Sequence, residues 1–495
     1  MSLKMLAFDF GASSGRAILG IFDGKKLDLT EIHRFSNDPV EVNGNLHWDV
    51  LRLFYEIKQG ILKAGIQGYN DLDSIGVDTW GVDFGLLDRD GNLIGNPYHY
   101  RDKRTDGMMD EAFRIVPRDE IYRQTGIQFM WYNTLFQLLS MRINNSPQLQ
   151  STATLLFMPD LFNYFLTGTK STEYSIASTS QLMNPVSGTW AYELMDRLGI
   201  PTGIFTDITK SGTIIGNLNP DIATELRVNR APVVSVASHD TASAVAAVPA
   251  SGEDYIYISS GTWSLLGVEL SKPIINDKSL KFNFTNEGGV NNTVRFLKNI
   301  MGLWLIQECR RQWQREGENL SYSQLEQMAM EPKPFEMFID PDHNTFAYPG
   351  DMPGRIREFC RNTSQAVPQT KSEIMRCIYQ SLALKYRYAI ECMEEILGRK
   401  LPVIHIVGGG IKDRLLSQLT ADATGKHVIA GPAEATALGN IAVQAMALGE
   451  VGSLKEAREI IKNSVPTEEY IPKDGDAWDA AYDKFRKILD KAQHI

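Results

Sequence analysis

Cysteine is scarce in this chain. Four stand among 495 residues, Cys309, Cys360, Cys377 and Cys392, and none falls in a C-x-x-C pair. Such cysteines read as reduced core thiols of a cytoplasmic protein rather than as a disulfide framework. No apolar run reaches the roughly 18 residues of a membrane helix. Asp9 interrupts the only apolar stretch near the N-terminus, which excludes a signal peptide. Met5 is a second candidate start, which would make Met1 to Leu3 an appended leader. A basic excess is also missing. Lys and Arg number 50 against 60 Asp and Glu, for a net charge of -10. That argues against nucleic acid as a partner. It leaves room for an anionic ligand, because backbone amides and one or two cations suffice to hold a phosphate. There is no G-x-x-x-x-G-K-[ST], so the chain is not a P-loop kinase.

What is present is an ordinary globular composition, 43% hydrophobic and 22% charged. One core rarely serves more than roughly 250 to 300 residues, so two large domains are expected. The stretch APVVSVASHDTASAVAAV, residues 231 to 248, lies where two halves would meet. Its apolar run, Val233 to Ala237, predicts a strand that delivers Ser238, His239, Asp240 and Thr241 to its end. A helix of small residues, Ala242 to Val248, follows. Asp240 is either the N-cap of a helix beginning at Thr241 or a general base, and the two roles are compatible.

Two hairpins frame this centre. MLAFDFGASSGRAILGIF, residues 5 to 22, reads as strand, tight turn, strand. Its turn, Gly11 to Gly15, is either a plain β-turn or a nest of N–H groups for phosphate oxygens, with Arg16 as a cation and Asp9 placed to reach magnesium through water. YIYISSGTWSLLGVE, residues 255 to 269, repeats the pattern about 250 residues later, with a turn at Ser259 to Thr262. The repeat suggests two related domains sharing a cleft. Between the hairpins, Asp78 to Asp83 (DTWGVD) offers Trp80 as a flat face, Gly81 for close approach, and Asp78 and Asp83 as acceptors. That is a carbohydrate-like set or a packed Trp beside two capping carboxylates. Residues 98 to 106 form a charged loop. Residues 298 to 314 predict a helix, and residues 318 to 370 are polar and proline-rich, with loop character around Pro332 to Pro353. Leu401 to Val407 predicts a strand that runs through Gly408, Gly409 and Gly410 into a helix, aiming N–H groups at a ligand or simply turning tightly.

Together these strings resemble the FGGY family of carbohydrate kinases over nearly the whole chain. The resemblance is carried by DFGASSGR (9 to 16), DTWGVDF, YRDKRT, GIQF, MPD, ASHDTASAV, SSGTWS (259 to 264), TNEGG, KNIMGLW and VGGGIKDRLLSQL (407 to 419). It implies an α/β protein with two ribonuclease-H-like domains of the actin and hexokinase type, 1–246 for sugar and 247–495 for nucleotide, with a ligand cleft between them. Closure on binding both ligands is expected because water would otherwise compete as acceptor. It implies ATP as co-substrate, Mg2+ at Asp9, and phosphorylation of the 1-hydroxyl of L-rhamnulose with Asp240 as general base. Gly81, His239, Thr241 and Asn299 should touch the sugar, with Trp80 and Asp83 beside them. Ala12, Ser13, Ser14, Gly15, Arg16, Thr262, Gln307, Gly409 and Gly410 should hold the nucleotide. No membrane is expected as a partner. Ser259 stands where many members carry Asp, and Leu161 to Tyr164 replaces a common K-x-x-W. Both departures argue against glycerol or xylulose as substrate. Another ketose such as L-fuculose, or a catalytically silent nucleotide-binding regulator, are the alternatives.

Overall fold

The computed structural model describes residues 2–493. They divide into two compact units. The first takes the chain up to Pro249, then Glu269–Leu297 and Glu434–Val465. The second takes Ala250–Val268, Lys298–Ala433 and the chain from Pro466 on. Met1 lies outside the described residues, while Leu3 already belongs to the first strand.

In the first unit, Leu3–Phe10 and Ser14–Phe22 form an antiparallel hairpin with Asp9 opposite Arg16. Leu27–Ser36 extends the sheet on one side. On the other side Ser74–Thr79 runs parallel to the first strand and sets Asp78 beside Asp9. Pro232–Ser235 follows in parallel, and Thr213–Asn217 closes the sheet antiparallel. The inner strands are near-continuous apolar runs because both of their faces are covered. Alternate residues point to opposite faces. Phe8 and Ala17 lie against Gly60 of the helix Val50–Ile66, which Asp49 caps by accepting from the Arg52 N–H. On the other face Gly20 and Gly76 lie against Ile441 and Asn440 of the helix Ala435–Ala447. Gly439 of that helix meets the helix Asp240–Ala246 so closely that a Cβ would sit 1.8 Å from the Ser243 carbonyl oxygen. Residues 108–204 add a helical layer with its own core, in which Leu135, Phe136, Ile176 and Leu194 are fully buried.

The second unit repeats the strand plan. Tyr255–Ser260 and Trp263–Leu270 form the hairpin. Val403–Val407 and His427–Ala430 run parallel beside the first of these strands in turn, and Glu468–Tyr470 adds an antiparallel edge. The long helix Lys371–Leu397 carries a capping box, Thr370 with Glu373.

Several elements differ from expectation. Lys298 and Asn299 lie on the strand Val294–Met301, and the helix begins only at Trp304. Gly302 makes the break, since a Cβ there would meet Ser264 Oγ at 2.5 Å. The polar stretch 318–370 holds two helices, Tyr322–Met330 and Met352–Asn362, each started by a local capping signal: Ser321 with Gln324, and Asp351 ahead of Pro353. The central strand is shorter than expected and ends at Ser235. All four cysteines are buried and free. Among the described residues no helix is long and apolar enough to cross a membrane.

Candidate active site

Three carboxylates gather at the carboxyl ends of three neighbouring strands of the first unit, the place where open α/β sheets hold ligands. Asp9 ends the first strand, Asp78 the parallel strand beside it, and Asp240 follows the third. Burial raises the pKa of each, and the charges of the other two raise that of Asp78 further. Their exposure separates them. Asp78 is fully buried and Asp9 is 5% exposed, whereas the side chain of Asp240 is 27% exposed. Asp240 is therefore the most open of the three acids. Asp78 Oδ2 accepts from Asn440 Nδ2 at 2.6 Å, and Gln444 in turn donates to Asn440 Oδ1 at 2.7 Å. Asp78 Oδ1 is buried without a hydrogen-bond partner.

Asp240 opens its helix and does not cap it. The N-cap is His239, whose side chain makes no capping bond. The Asp240 carboxylate instead turns onto its neighbour: Oδ1 accepts from the Thr241 N–H at 2.5 Å and the Thr241 hydroxyl at 3.1 Å. Behind it, His239 Nε2 lies 3.4 Å from Asp240 Oδ1. Arg295 Nη2 lies 3.1 Å from His239 Nδ1. The same Nδ1 lies 3.4 Å from Glu287 Oε2. Arg295 is fully buried, donates to the Gly288 carbonyl at 2.8 Å, and pairs with Glu287 at 3.3 Å. The charges of His239 and Arg295 both pull the Asp240 pKa down against the larger effect of burial.

The Trp80 loop is held from beneath. Asp83 is fully buried. Its Oδ2 accepts from Trp48 Nε1 at 2.7 Å, Trp80 Nε1 at 3.0 Å and the Tyr100 N–H at 3.1 Å, and its Oδ1 accepts from Gln137 at 3.0 Å. Burial still pushes its pKa up to about 6. Asp83 thus acts on the loop and is not an open acceptor. Trp80 is 5% exposed, with its ring centroid 4.1 Å from that of Trp48, so one face is already covered. Val82, a β-branched residue, holds φ at +67°, an outlier that Thr179 and Thr134 pin by bonds to its N–H and carbonyl. A Cβ on Gly81 would stand 3.1 Å from Thr179.

In the first turn, Gly11 donates to the Ser14 carbonyl at 2.9 Å, and Asn37 braces it by donating to the Gly11 carbonyl. Ala12, Ser13 and Ser14 line the turn at its open side, while Gly15 is buried against Phe35. Arg16 is not a lone cation. Its guanidinium bridges Asp9 and Glu434, and both carboxylates raise its pKa.

The second unit presents a different turn. Gly261 donates to the Trp263 carbonyl at 2.9 Å, and the N–H groups of Gly302, Leu303 and Trp304 tie residues 302–304 to the carbonyls of Thr262 and Gly261. The Thr262 hydroxyl lies 3.3 Å from Gln307 Oε1, and Asn299 is half-buried on the strand leading there. The glycine triplet does not open an α-helix, as the sequence reading expected. Gly409–Lys412 is a 3-10 turn, and the helix Arg414–Thr424 starts after Asp413, which caps it. Gly408 holds φ at +89°, which favours glycine, and a Cβ on Gly410 would meet Ser260 Oγ at 2.1 Å. Gly409 is exposed and faces open space.

Two family models cover the chain. The N-terminal domain of the FGGY family of carbohydrate kinases matches residues 4–247, and its C-terminal domain matches residues 256–448. The chain belongs to the FGGY family of carbohydrate kinases. Its relatives in that family include a rhamnulokinase of Bacteroides thetaiotaomicron, 45% identical over 99% of this chain and 100% of the relative. A rhamnulokinase of Bacillus subtilis is 42% identical over 95% and 96%. The fold matches xylulose kinase from Lactobacillus acidophilus at 15% identity, TM-score 0.82 and 98% coverage of both chains. It also matches Plasmodium falciparum glycerol kinase with ADP, at 15% identity, TM-score 0.80, and 99% and 98% coverage. The chain thus has the two-domain α/β fold of this family, with ATP as the family's co-substrate.

Five residues that contact the predicted site residues directly or through a neighbour were missed in the sequence: Glu287, Arg295, Glu434, Asn440 and Gln444. They reach the strand ends from segments far along the chain, and no local pattern around them signals it. TNEGG at 285 to 289 marked the segment of Glu287 as unusual but not its partner.

Proposed function

We propose that this FGGY kinase transfers the γ-phosphoryl group of ATP to the 1-hydroxyl of L-rhamnulose, giving L-rhamnulose 1-phosphate and ADP in L-rhamnose catabolism. The observation that carries the mechanism is the exposure of Asp240 among three clustered acids. Asp240 takes the proton of the sugar hydroxyl as its oxygen bonds to phosphorus and the bond from phosphorus to the β,γ-bridging oxygen breaks. The transition state is loose, so positioning and charge neutralisation supply most of the acceleration. The choice of sugar is supported by the rhamnulokinases among the relatives and by Ser259 and Leu161 to Tyr164, where this chain departs from the wider family pattern.

In this reading residues 1–246 serve the sugar and 247–495 the nucleotide. Gly81, His239, Thr241 and Asn299 contact the sugar; Trp80 shapes the pocket, and Asp83 holds Trp80. Ala12, Ser13, Ser14, Gly15, Arg16, Thr262, Gln307, Gly409 and Gly410 hold the nucleotide. Magnesium suits the acid cluster, where Asp78 Oδ1 is a buried oxygen without a partner. Asp9 reaches the ion through water, as the family resemblance implies; among the described residues no set of three or more metal-binding side chains is arranged to hold an ion directly. Bound there, magnesium would neutralise phosphate charge. The net charge of -10 and the reduced cysteines support a cytoplasmic setting with no nucleic-acid or membrane partner.

A coupled ADP assay over a panel of ketoses tests this. L-Rhamnulose should give the highest kcat/KM. A higher value for L-fuculose would assign another substrate, and ATP binding without turnover on any sugar would make the chain a silent nucleotide-binding regulator.

A further inference from the structure

Residues 236–238, which lead into Asp240, belong to no strand or helix. Their backbone groups must still be satisfied, because the segment is buried. Ser238 is fully buried and His239 is 7% exposed. Three bonds use carbonyls: the Thr79 N–H donates to the Ser238 carbonyl at 2.9 Å, the Ser243 hydroxyl to the Ala237 carbonyl at 2.7 Å, and the Ser238 hydroxyl to the Val236 carbonyl at 3.1 Å. The two N–H groups just ahead of Asp240 go elsewhere. The Ser238 N–H donates to Glu173 Oε2 at 3.2 Å, and the His239 N–H donates to Ser175 Oγ at 3.1 Å. The Ser175 hydroxyl in turn donates to Glu173 Oε2 at 2.5 Å. One fully buried carboxylate therefore sets both anchors of the segment that carries the acid.

Glu173 is built for this task. Its Oε2 also accepts from the Ile176 N–H at 3.1 Å, and its Oε1 accepts from the Ser211 hydroxyl. A carboxylate supplied with four donors stays ionised in a buried place more readily than one without them. Its neighbour shows the contrast. Asp160 is also buried, and its Oδ1 accepts only the Glu173 N–H, at 3.1 Å, while Oδ2 has no partner. Burial first and the charge of Glu173 second raise its pKa well above the usual range; burial also raises that of Glu173, but there the hydrogen bonds from Ser175, Ser211 and Ile176 oppose it. The negative charge of this pair thus rests on Glu173, the member that grips residues 238 and 239.

We propose that Glu173 is a positioning residue for phosphoryl transfer: directly at the Ser238 N–H, and through Ser175 at the His239 N–H, it fixes the point from which Asp240 projects. The proposal rests on the reading of Asp240 as the base. A misplaced base loses rate even when every reacting group is present, because the reacting atoms must meet at about 3 to 3.5 Å. A plain helix cap would act differently. Glu173 does cap the short helix Tyr174–Ser178, and loss of a cap alone lowers stability and not the rate per folded site.

The test uses the full-length enzyme with L-rhamnulose and ATP and compares Glu173→Gln, Glu173→Ala, Ser175→Ala and Asp240→Asn. Rates are expressed per folded site. Glu173→Gln and Ser175→Ala should each lower kcat by about 10-fold or more while KM for ATP stays within about 2-fold, the split that a displaced base produces. Glu173→Gln should fall less than Glu173→Ala, because the amide oxygen can still accept from Ser238. If Glu173→Gln does not fold, Ser175→Ala decides, since it removes the His239 anchor and one donor to Glu173 but leaves the Ser238 bond to Glu173 in place. Unchanged kcat in Ser175→Ala and in any folded Glu173 variant, with Asp240→Asn inactive, overturns the positioning role and leaves the base intact. Retained turnover in Asp240→Asn overturns the base itself and the proposal with it.

Discussion

The two hairpins share one strand plan and carry opposite electrostatics. In each unit an antiparallel hairpin is followed by two parallel strands and an antiparallel edge. Asp9 stands two residues before Gly11, and Ser259 two before Gly261. The strand beside Asp9 brings Asp78, while the strand beside Ser259 brings Val407. The first sheet therefore ends in three acids and a guanidinium, and the second in hydroxyls, an amide and bare glycine backbone. The backbone sets where a ligand sits, and single side chains at equivalent strand ends decide whether the place holds charge or a neutral group.

Removing the open acid of the charged unit should give the largest effect. Asp240→Asn should lower kcat by about 100- to 10,000-fold, the usual worth of a positioned base, as read by ADP release. In the wild type the same acid should impose an acidic limb on kcat. Its pKa is raised by burial, so the ionised form is lost as pH falls through a value above the ordinary aspartate range. A rate independent of pH down to that ordinary range would remove Asp240 as the base.

Next, Arg16→Ala should lower unfolding stability by about 2 kcal/mol, because Asp9 would keep its burial and lose its cation. The chemical-denaturation midpoint reads this, and an unchanged midpoint would mean that the pair is screened.

The neutral unit should answer to bulk and not to charge. Gly410→Ala should cost about 1 to 3 kcal/mol by overpacking against Ser260. Gly409→Ala should stay within about 0.5 kcal/mol of wild type while raising KM for ATP, because its Cβ would enter open space. Equal behaviour of the two variants would erase the distinction between a packing glycine and a binding one.

The smallest effect is a pH slope. Asp78 has its pKa raised in the fold, so it favours folding while protonated and loses that contribution as pH rises through the raised value. Without divalent ions, stability should fall with rising pH in that window, and Asp78→Asn should flatten the slope. An unaltered slope in the variant would assign it to another group.

Much of this was legible in the sequence, and for local reasons. The first hairpin, its turn and the DTWGVD loop are short segments whose apolar alternation and turn residues fix their form. The second hairpin was legible as a repeat of the first. The strand at Lys298 was not, because FLKNIM is a short apolar run that fits helix and strand equally, and only the crowding at Gly302 decides. Asp83 illustrates a further limit. Its place beside Trp80 suggested a ligand, yet its donors come from Trp48, Tyr100 and Gln137, which no spacing in the sequence connects.

The most direct measurement is nucleotide binding by the Asp240→Asn variant, titrated by calorimetry beside its turnover. The account predicts an ATP dissociation constant within about 2-fold of wild type and almost no ADP formed with L-rhamnulose. Lost ATP binding with sugar binding intact would contradict it and move Asp240 from the hydroxyl to the phosphates.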